Sequence, residues 1–169
     1  MNIRASYFSR LLLLVFLCHL SMAWGAPRNV MTVEMELVQQ GAVGPFDIDD
    51  WGQEIISPTD LASGLPSGKR QHKPFVIRKP IDAASPVLYQ ALINNEGLNS
   101  LTVRVYKQSK SPRALAFTIK LTNARVIHAT KAAAADADDR ETFEFVYQTI
   151  EWTDVKTGTV TTDNWRDQS

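Results

Sequence analysis

Between Ser63 and Asp82 the chain reads SGLPSGKRQHKPFVIRKPID, which gathers Lys69, Arg70, Lys73, Arg78 and Lys79 around His72. Cations at that density can grip phosphates, meet another protein, or keep a hairpin in water. A nucleic-acid groove usually interleaves its cations with rings on which bases stack, and here only Phe75 is near, at an apparently buried strand position. Lys+Arg and Asp+Glu both number 18, so a formal net charge of zero draws no polyanion to the molecule as a whole. SGLPSGK lacks the G-x-x-x-x-G-K-[ST] spacing of a phosphate loop: Leu65, Pro66 and Ser67 alone separate Gly64 from Gly68, and Arg70 follows Lys69. Nucleic acid is therefore not expected as a partner. A protein contact accounts best for the run, with a plain solvated hairpin as the alternative.

Other chemistry is weaker still. His72 and His128 are the histidines beyond the first 25 residues, and neither has a carboxylate at helical ligand spacing. No nucleophile-elbow motif is present. Asp136, Asp138 and Asp139 sit in alanine-rich sequence without the glycine turn of a calcium loop, so they read as solvating charges. Trp51, Trp152 and Trp165 could form a sugar platform, but Trp51 and Trp152 read more simply as core or interface residues. No cofactor, metal or catalytic site is expected.

The elements that must carry the basic run begin after a leader. Arg4 and Arg10 precede the apolar run LLLLVFLCHL and the small residues of AWGA, which are the three regions of a secretory signal peptide. Ala23 and Gly25 suit the positions before a cut, so cleavage is expected between Gly25 and Ala26. The run is too short for a membrane span, which needs about 20 residues, and Leu17 ahead of Cys18 does not suit a lipoprotein signal. No stable membrane insertion is expected. Residues 26–169 then contain no cysteine and form one domain without disulfides.

That domain alternates with period two. Val33, Met35 and Leu37 share one face; so do Leu101, Val103 and Val105, then Leu115, Phe117, Ile119 and Leu121, then Phe143, Phe145 and Tyr147. FVIRK and GTVTT are shorter strand candidates. One helix is expected, with Ser85 as N-cap, Pro86 at the first helical position, Leu88, Ala91 and Leu92 as its apolar stripe, and Gly97 as its stop. A single helix cannot supply parallel crossovers, so the fold is expected to be mainly β, an antiparallel sandwich or barrel with the helix plugging one side or end. Residues 57 to 74 read as a long hairpin or loop, and residues 131 to 141 as an exposed acidic linker.

Three segments resemble one family. SPTDLASGLPSGKRQHKPFVIRKPIDAASPVLYQAL is similar to the diagnostic stretch of the Hcp (haemolysin-coregulated protein) tube proteins of bacterial type VI secretion. LTNARVIHA resembles one of its later strands, and TFEFVYQTIEWTDV with GTVTTDNW resembles its closing signature, so the likeness runs from about Met31 to Trp165. The resemblance implies a small antiparallel β-barrel assembling as a hexameric ring, with rings stacked into a hollow tube that a contracting sheath drives out. It implies sheath, spike and small effector proteins as partners. Ser57 to Lys73 would be the hairpin that reaches the adjoining ring, with Asp60, Ser63, Lys69, Arg70, Gln71, His72 and Lys73 in the contact. The leader departs from the pattern, because family members begin near Met31. It leaves open an exported homologue, acting in the periplasm or outside the cell as a ring or binding module, or a start at Met31 and a cytoplasmic pool before secretion.

Overall fold

The computed structural model describes residues 30–107, 113–134 and 137–166. The expected leader and its cut between Gly25 and Ala26 lie outside them. In chain order the elements are β1 (Val30–Leu37), β2 (Gly41–Ile48), β3 (Asp50–Gly52), β4 (Ile55–Ile56), β5 (Gln71–His72), β6 (Phe75–Pro80), α1 (Ser85–Ile93), β7 (Gly97–Lys107), β8 (Ala114–Ala134), β9 (Ala137–Val146), β10 (Thr149–Asp154) and β11 (Thr159–Asn164).

All pairings are antiparallel. Nine strands form one sheet in the order β2-β1-β7-β8-β9-β6-β3, with β10 also on β8 and β11 on β10, while β4 and β5 pair separately. The path turns back on itself because β3 follows β2 almost directly: the Asp49 N–H donates to the Arg78 carbonyl at 2.9 Å and closes the barrel. β8, at 21 residues, is the shared stave. Its first half pairs with β7 and β10, its second half with β9, and Asn123 turns the strand between them at φ +50°.

The alternating residues fill the barrel as period two requires. Val33, Leu101, Val103, Ile119, Leu121, Phe75, Phe143 and Ile150 are completely buried, each contributing about 1.5–3 kcal/mol of transfer free energy. Leu88 and Ala91 of α1 join this core and Leu92 packs at its margin.

The helix start differs from expectation. Ala84 is the cap, Ser85 is already helical, and no side chain caps the helix. The Ser85 hydroxyl accepts instead from the Asp82 N–H and the Lys79 ammonium, and it donates to Glu141. A buried cation outcompeted the cap for that oxygen. Nor does Gly97 stop the helix; Asn95 takes the left-handed conformation at φ +51°, and Gly97 opens β7. Within the stretch 131 to 141, read as a loop from sequence, residues 131–134 belong to β8 and 137–141 to β9, and the two strands pair out to Ala134 and Ala137 because the backbone ladder does not depend on side-chain polarity.

Candidate functional site

The basic run does not stay together. Arg78 faces outward and pairs with Asp50 at 2.9 Å. Lys79, the next residue, points inward by the alternation of β6 and is completely buried. Its ammonium meets Glu141 at 2.7 Å, Asp82 at 2.8 Å, the Pro80 carbonyl at 2.8 Å and Ser85 at 3.0 Å. Lys79 therefore cannot reach a phosphate or a partner; it ties the start of α1 to β6 and β9.

Upstream, the chain leaves the barrel at β4 and returns at β5, and residues 59–71 between them are exposed. The excursion is nonetheless built. Ile55 and Ile56 pair with His72 and Gln71, and Thr59 bridges to Pro66. At the tip the Asp60 N–H donates to the Leu65 carbonyl at 2.9 Å, and the Gly64 N–H donates back to the Asp60 carbonyl at 2.8 Å. Gly64 sits at φ +70°, where a side chain would be strained. The Asp60 carboxylate accepts from the Ala62 N–H at 2.8 Å, and that bond, with help from the Ser63 hydroxyl, holds its pKa below the ordinary carboxylate range. Leu61 is 97% exposed and Leu65 64%. An apolar pair thus stands in water on a tip that is hydrogen-bonded into one shape.

The base of the loop is pinned to the barrel. Arg70 grips Asp163 of β11 with two bonds, from Nε at 3.2 Å and Nη2 at 2.8 Å. His72 Nε2 lies 3.0 Å from the same carboxylate and Nδ1 lies 3.0 Å from the Tyr147 hydroxyl. Gln53 Nε2 donates to that hydroxyl at 3.5 Å, and Trp152 Nε1 donates to Gln53 Oε1 at 2.9 Å. One assignment of protons satisfies every member: Tyr147 donates to Nδ1 of a neutral imidazole whose Nε2–H donates to Asp163. Burial, with the nearby Asp163 charge, raises the Tyr147 pKa against the opposing Gln53 bond. The arrangement holds position.

Of the residues proposed for the contact, Arg70 and His72 enter this pin. Asp60 and Ser63 shape the tip, Lys69, Gln71 and Lys73 are exposed, and the Lys73 N–H closes the base on the Glu54 carbonyl at 3.0 Å. Tyr147, Asp163 and Gln53 escaped sequence reasoning. His72 meets Tyr147 across 75 residues and Asp163 across 91, and no local pattern links such positions. Beside the pin lies an open groove of about 600 Å³, with Arg70, Lys73, Arg125 and Arg166 at its rim and Val146 and Trp165 in its wall. Trp165 is 45% exposed, whereas Trp51 stacks on Phe75 at 5.7 Å and Trp152 serves the pin. Trp51 and Trp152 are thus engaged within the barrel, and the alternative of a three-ring sugar platform is left with one exposed indole. Among the described residues no three His, Cys, Asp or Glu side chains are grouped to hold a metal ion. Asp136 lies outside those residues, and Asp139 is exposed. No helix among them is long and apolar enough to cross a membrane.

The most elaborated surface of this antiparallel barrel is a loop braced at its tip and its base. The chain belongs to the Hcp family: residues 28–153 match the family model described as type VI secretion system effector, Hcp. It is 32% identical over 136 residues to the "Major exported protein" of Pseudomonas aeruginosa, covering 76% of this chain and 79% of that one. Its fold is similar to a crystal structure of an Hcp protein with a TM-score of 0.75, at 23% identity over 83% of this chain and 99% of that one. It is also similar to the secreted protein Hcp3 from Pseudomonas aeruginosa, with a TM-score of 0.69 at 24% identity, covering 83% of this chain and all of that one. The protein is a tube subunit of the type VI secretion type, self-associating and exported.

Proposed function

We propose that the protein works as a wall segment. Copies close side by side into a hexameric ring, rings stack head to tail, and the lumen carries small effectors while sheath and spike proteins engage the tube from outside and at its end. The loop of residues 57–73 makes the contact to the adjoining ring through Asp60, Ser63, Lys69 and Gln71 around the exposed Leu61 and Leu65. The single observation behind this is the loop itself. Its tip is hydrogen-bonded into one shape and its base pinned by Arg70 and His72, so little ordering entropy remains to be lost on docking. Alternating charge and small polar residues suit a joint that forms and parts in water.

Light scattering on the size-exclusion eluate, followed by negative-stain microscopy, tests it. Annular particles with a central hole, and stacks of them at high concentration, are expected; single subunits under every condition would overturn the reading. The leader belongs to the same proposal: residues 1–25 direct export and are removed between Gly25 and Ala26. N-terminal sequencing of the protein from its host checks this. A product beginning at Ala26 supports it, and one beginning at Met31 or Thr32 removes it.

A further inference from the structure

Arg78, Arg104, Arg125 and Arg140 stand on strands of the barrel. A carboxylate meets the first, second and last: Asp50 pairs with Arg78, Glu34 with Arg104 and Asp49 with Arg140. Arg125 breaks the rule. It stands on β8 opposite Gly97 of β7 and Val146 of β9, and it lines the groove beside the loop base. Lys73, just beyond β5, and Arg166, just beyond β11, line the same groove. All three cations are exposed, none has an ion-pair partner among the described residues, and no carboxylate among those residues lines the groove. Asp163 is committed to Arg70 and His72. Acids and bases are equal in number over the whole chain, so this excess of positive charge is local and unrelieved.

The same opening shows carbon to water. Val38, Val146 and Trp165 are exposed and line it, drawn from the turn after β1, the end of β9 and the segment after β11. The Arg166 guanidinium lies 5.7 Å from the centre of the Trp165 ring, so a charge and a ring are presented together. The volume of about 600 Å³ falls within the range of about 300–1,000 Å³ for sites that take ligands. A phosphate site converges its donors on one point. Here the cations come from three separate segments, with an apolar wall among them. The complementary ligand carries several separated negative charges and an apolar side chain. A polypeptide supplies both, whereas a bare polyanion supplies only the charge.

We propose that this groove is a docking site for an acidic polypeptide segment that carries an aromatic side chain. The carboxylates of the segment meet Lys73, Arg125 and Arg166, and its ring packs on the wall of Val38, Val146 and Trp165. Charge supplies attraction and register, and burial of the ring supplies the selectivity that charge alone lacks. Because Arg70 and His72 fix the base of the loop beside it, the groove is formed before the segment arrives, which keeps the ordering cost of docking low. The site needs only the folded subunit and goes beyond the ring reading, which neither requires it nor supplies its occupant.

Isothermal titration calorimetry tests the site with a short peptide, blocked at both ends, of Glu and Asp around one central Phe. Two further peptides separate the contributions: one with Ala in place of Phe, and one with Gln and Asn in place of the acids. The parent protein should bind the first peptide, bind the Ala peptide about fivefold or more weakly, and ignore the neutral one. Raising the salt from about 50 mM to about 300 mM should weaken binding. The double variant Arg125→Glu with Arg166→Glu should lose about tenfold or more in affinity, and Trp165→Ala should lose about fivefold or more. Lys156→Glu, exposed in the turn after β10 and outside the groove, should bind as the parent does. Circular dichroism establishes that each variant is folded, and Arg125→Gln with Arg166→Gln replaces the reversal pair should that pair not fold. No binding of the first peptide at low salt would overturn the proposal, as would equal losses in Lys156→Glu and the groove variants. Equal affinity for the Phe and Ala peptides would reduce the groove to a polyanion surface and overturn the polypeptide occupant. A parent that ignores the peptide, with ring stacking lost in the groove variants, would give the groove to a second copy. Whether rings form at all leaves each of these readings unaffected, so failure here and failure of the ring reading are told apart.

Discussion

Asp163→Ala should release the loop without unfolding the barrel. Asp163 is 19% exposed and receives both Arg70, 45% exposed, and His72, 8% exposed. An exposed Arg–carboxylate pair contributes about 0.2–1 kcal/mol, and the two-point geometry of Arg70 places it near the upper end. The bond between the nearly buried imidazole and a carboxylate adds about 1.5 kcal/mol. His72 retains Tyr147 in the variant, and β4–β5 pairing remains, so the loss is confined to about 2 kcal/mol of anchoring. That corresponds to a rise of about 30-fold in the open population of the loop base. Trypsin reads this population, because Arg70 at the pinned base becomes a cleavage site once Asp163 releases it, and cleavage tracks local opening when reclosing is fast. The variant should be cut about 30-fold faster there while its thermal transition moves only a few degrees, and it should keep rings but lose stacks. Cleavage within about threefold of the parent, with stacking unchanged, would show that Asp163 does not set the loop.

Lys79→Met should destabilise by about 3–5 kcal/mol by leaving Glu141 buried without its cation, Glu141→Leu should cost less because Asp82 still meets the ammonium, and the double variant should recover most of the Lys79→Met loss. Urea titration of the four proteins at one concentration checks the cycle, and near-additive losses would refute it. Gly44→Ala should lower stability by about 2 kcal/mol or more, read as a fall in midpoint temperature, because a Cβ there would sit 2.6 Å from the Val33 carbonyl oxygen at φ +111°. Glu96 accepts from the Gln40 side chain at 2.7 Å and from the Gln39 and Gln40 N–H groups at 2.7 and 3.2 Å. The Gln40 side chain, with those backbone bonds, holds its pKa below the usual value against desolvation. A depressed folded pKa means stability that is fully present above the unfolded value and lost as pH falls through the folded one. The gap in stability between the parent and Glu96→Gln should therefore be widest above about pH 5 and close as pH falls below the ordinary carboxylate range. A gap independent of pH would sink the assignment.

Period-two alternation was enough to place Val33, Leu101, Ile119, Phe143 and their neighbours in the core, and one helix among many strands was enough to require an antiparallel sheet. Both follow from local rules: a strand turns alternate side chains to one side, so a half-buried strand writes its orientation into the order of residues. The basic stretch was visible for the same reason, and its family resemblance with it. Its use was not. Lys79 reads as one more cation beside Arg78, yet one step along β6 carries it from solvent into the core, where Glu141 across the sheet meets its charge. The hydroxyl of Ser85 reads as a cap because the helix begins there, and the buried ammonium claims it. His72 meets Tyr147 and Asp163 only because β5, the turn between β9 and β10, and β11 are brought together by the fold, and TVTTDN is a sheet margin only because no strand among the described residues pairs beyond it. Local order along the chain settles what each strand turns inward. Which distant strands lie together, and which edge is left bare, is decided by closure of the sheet, where partners are set by space rather than by spacing.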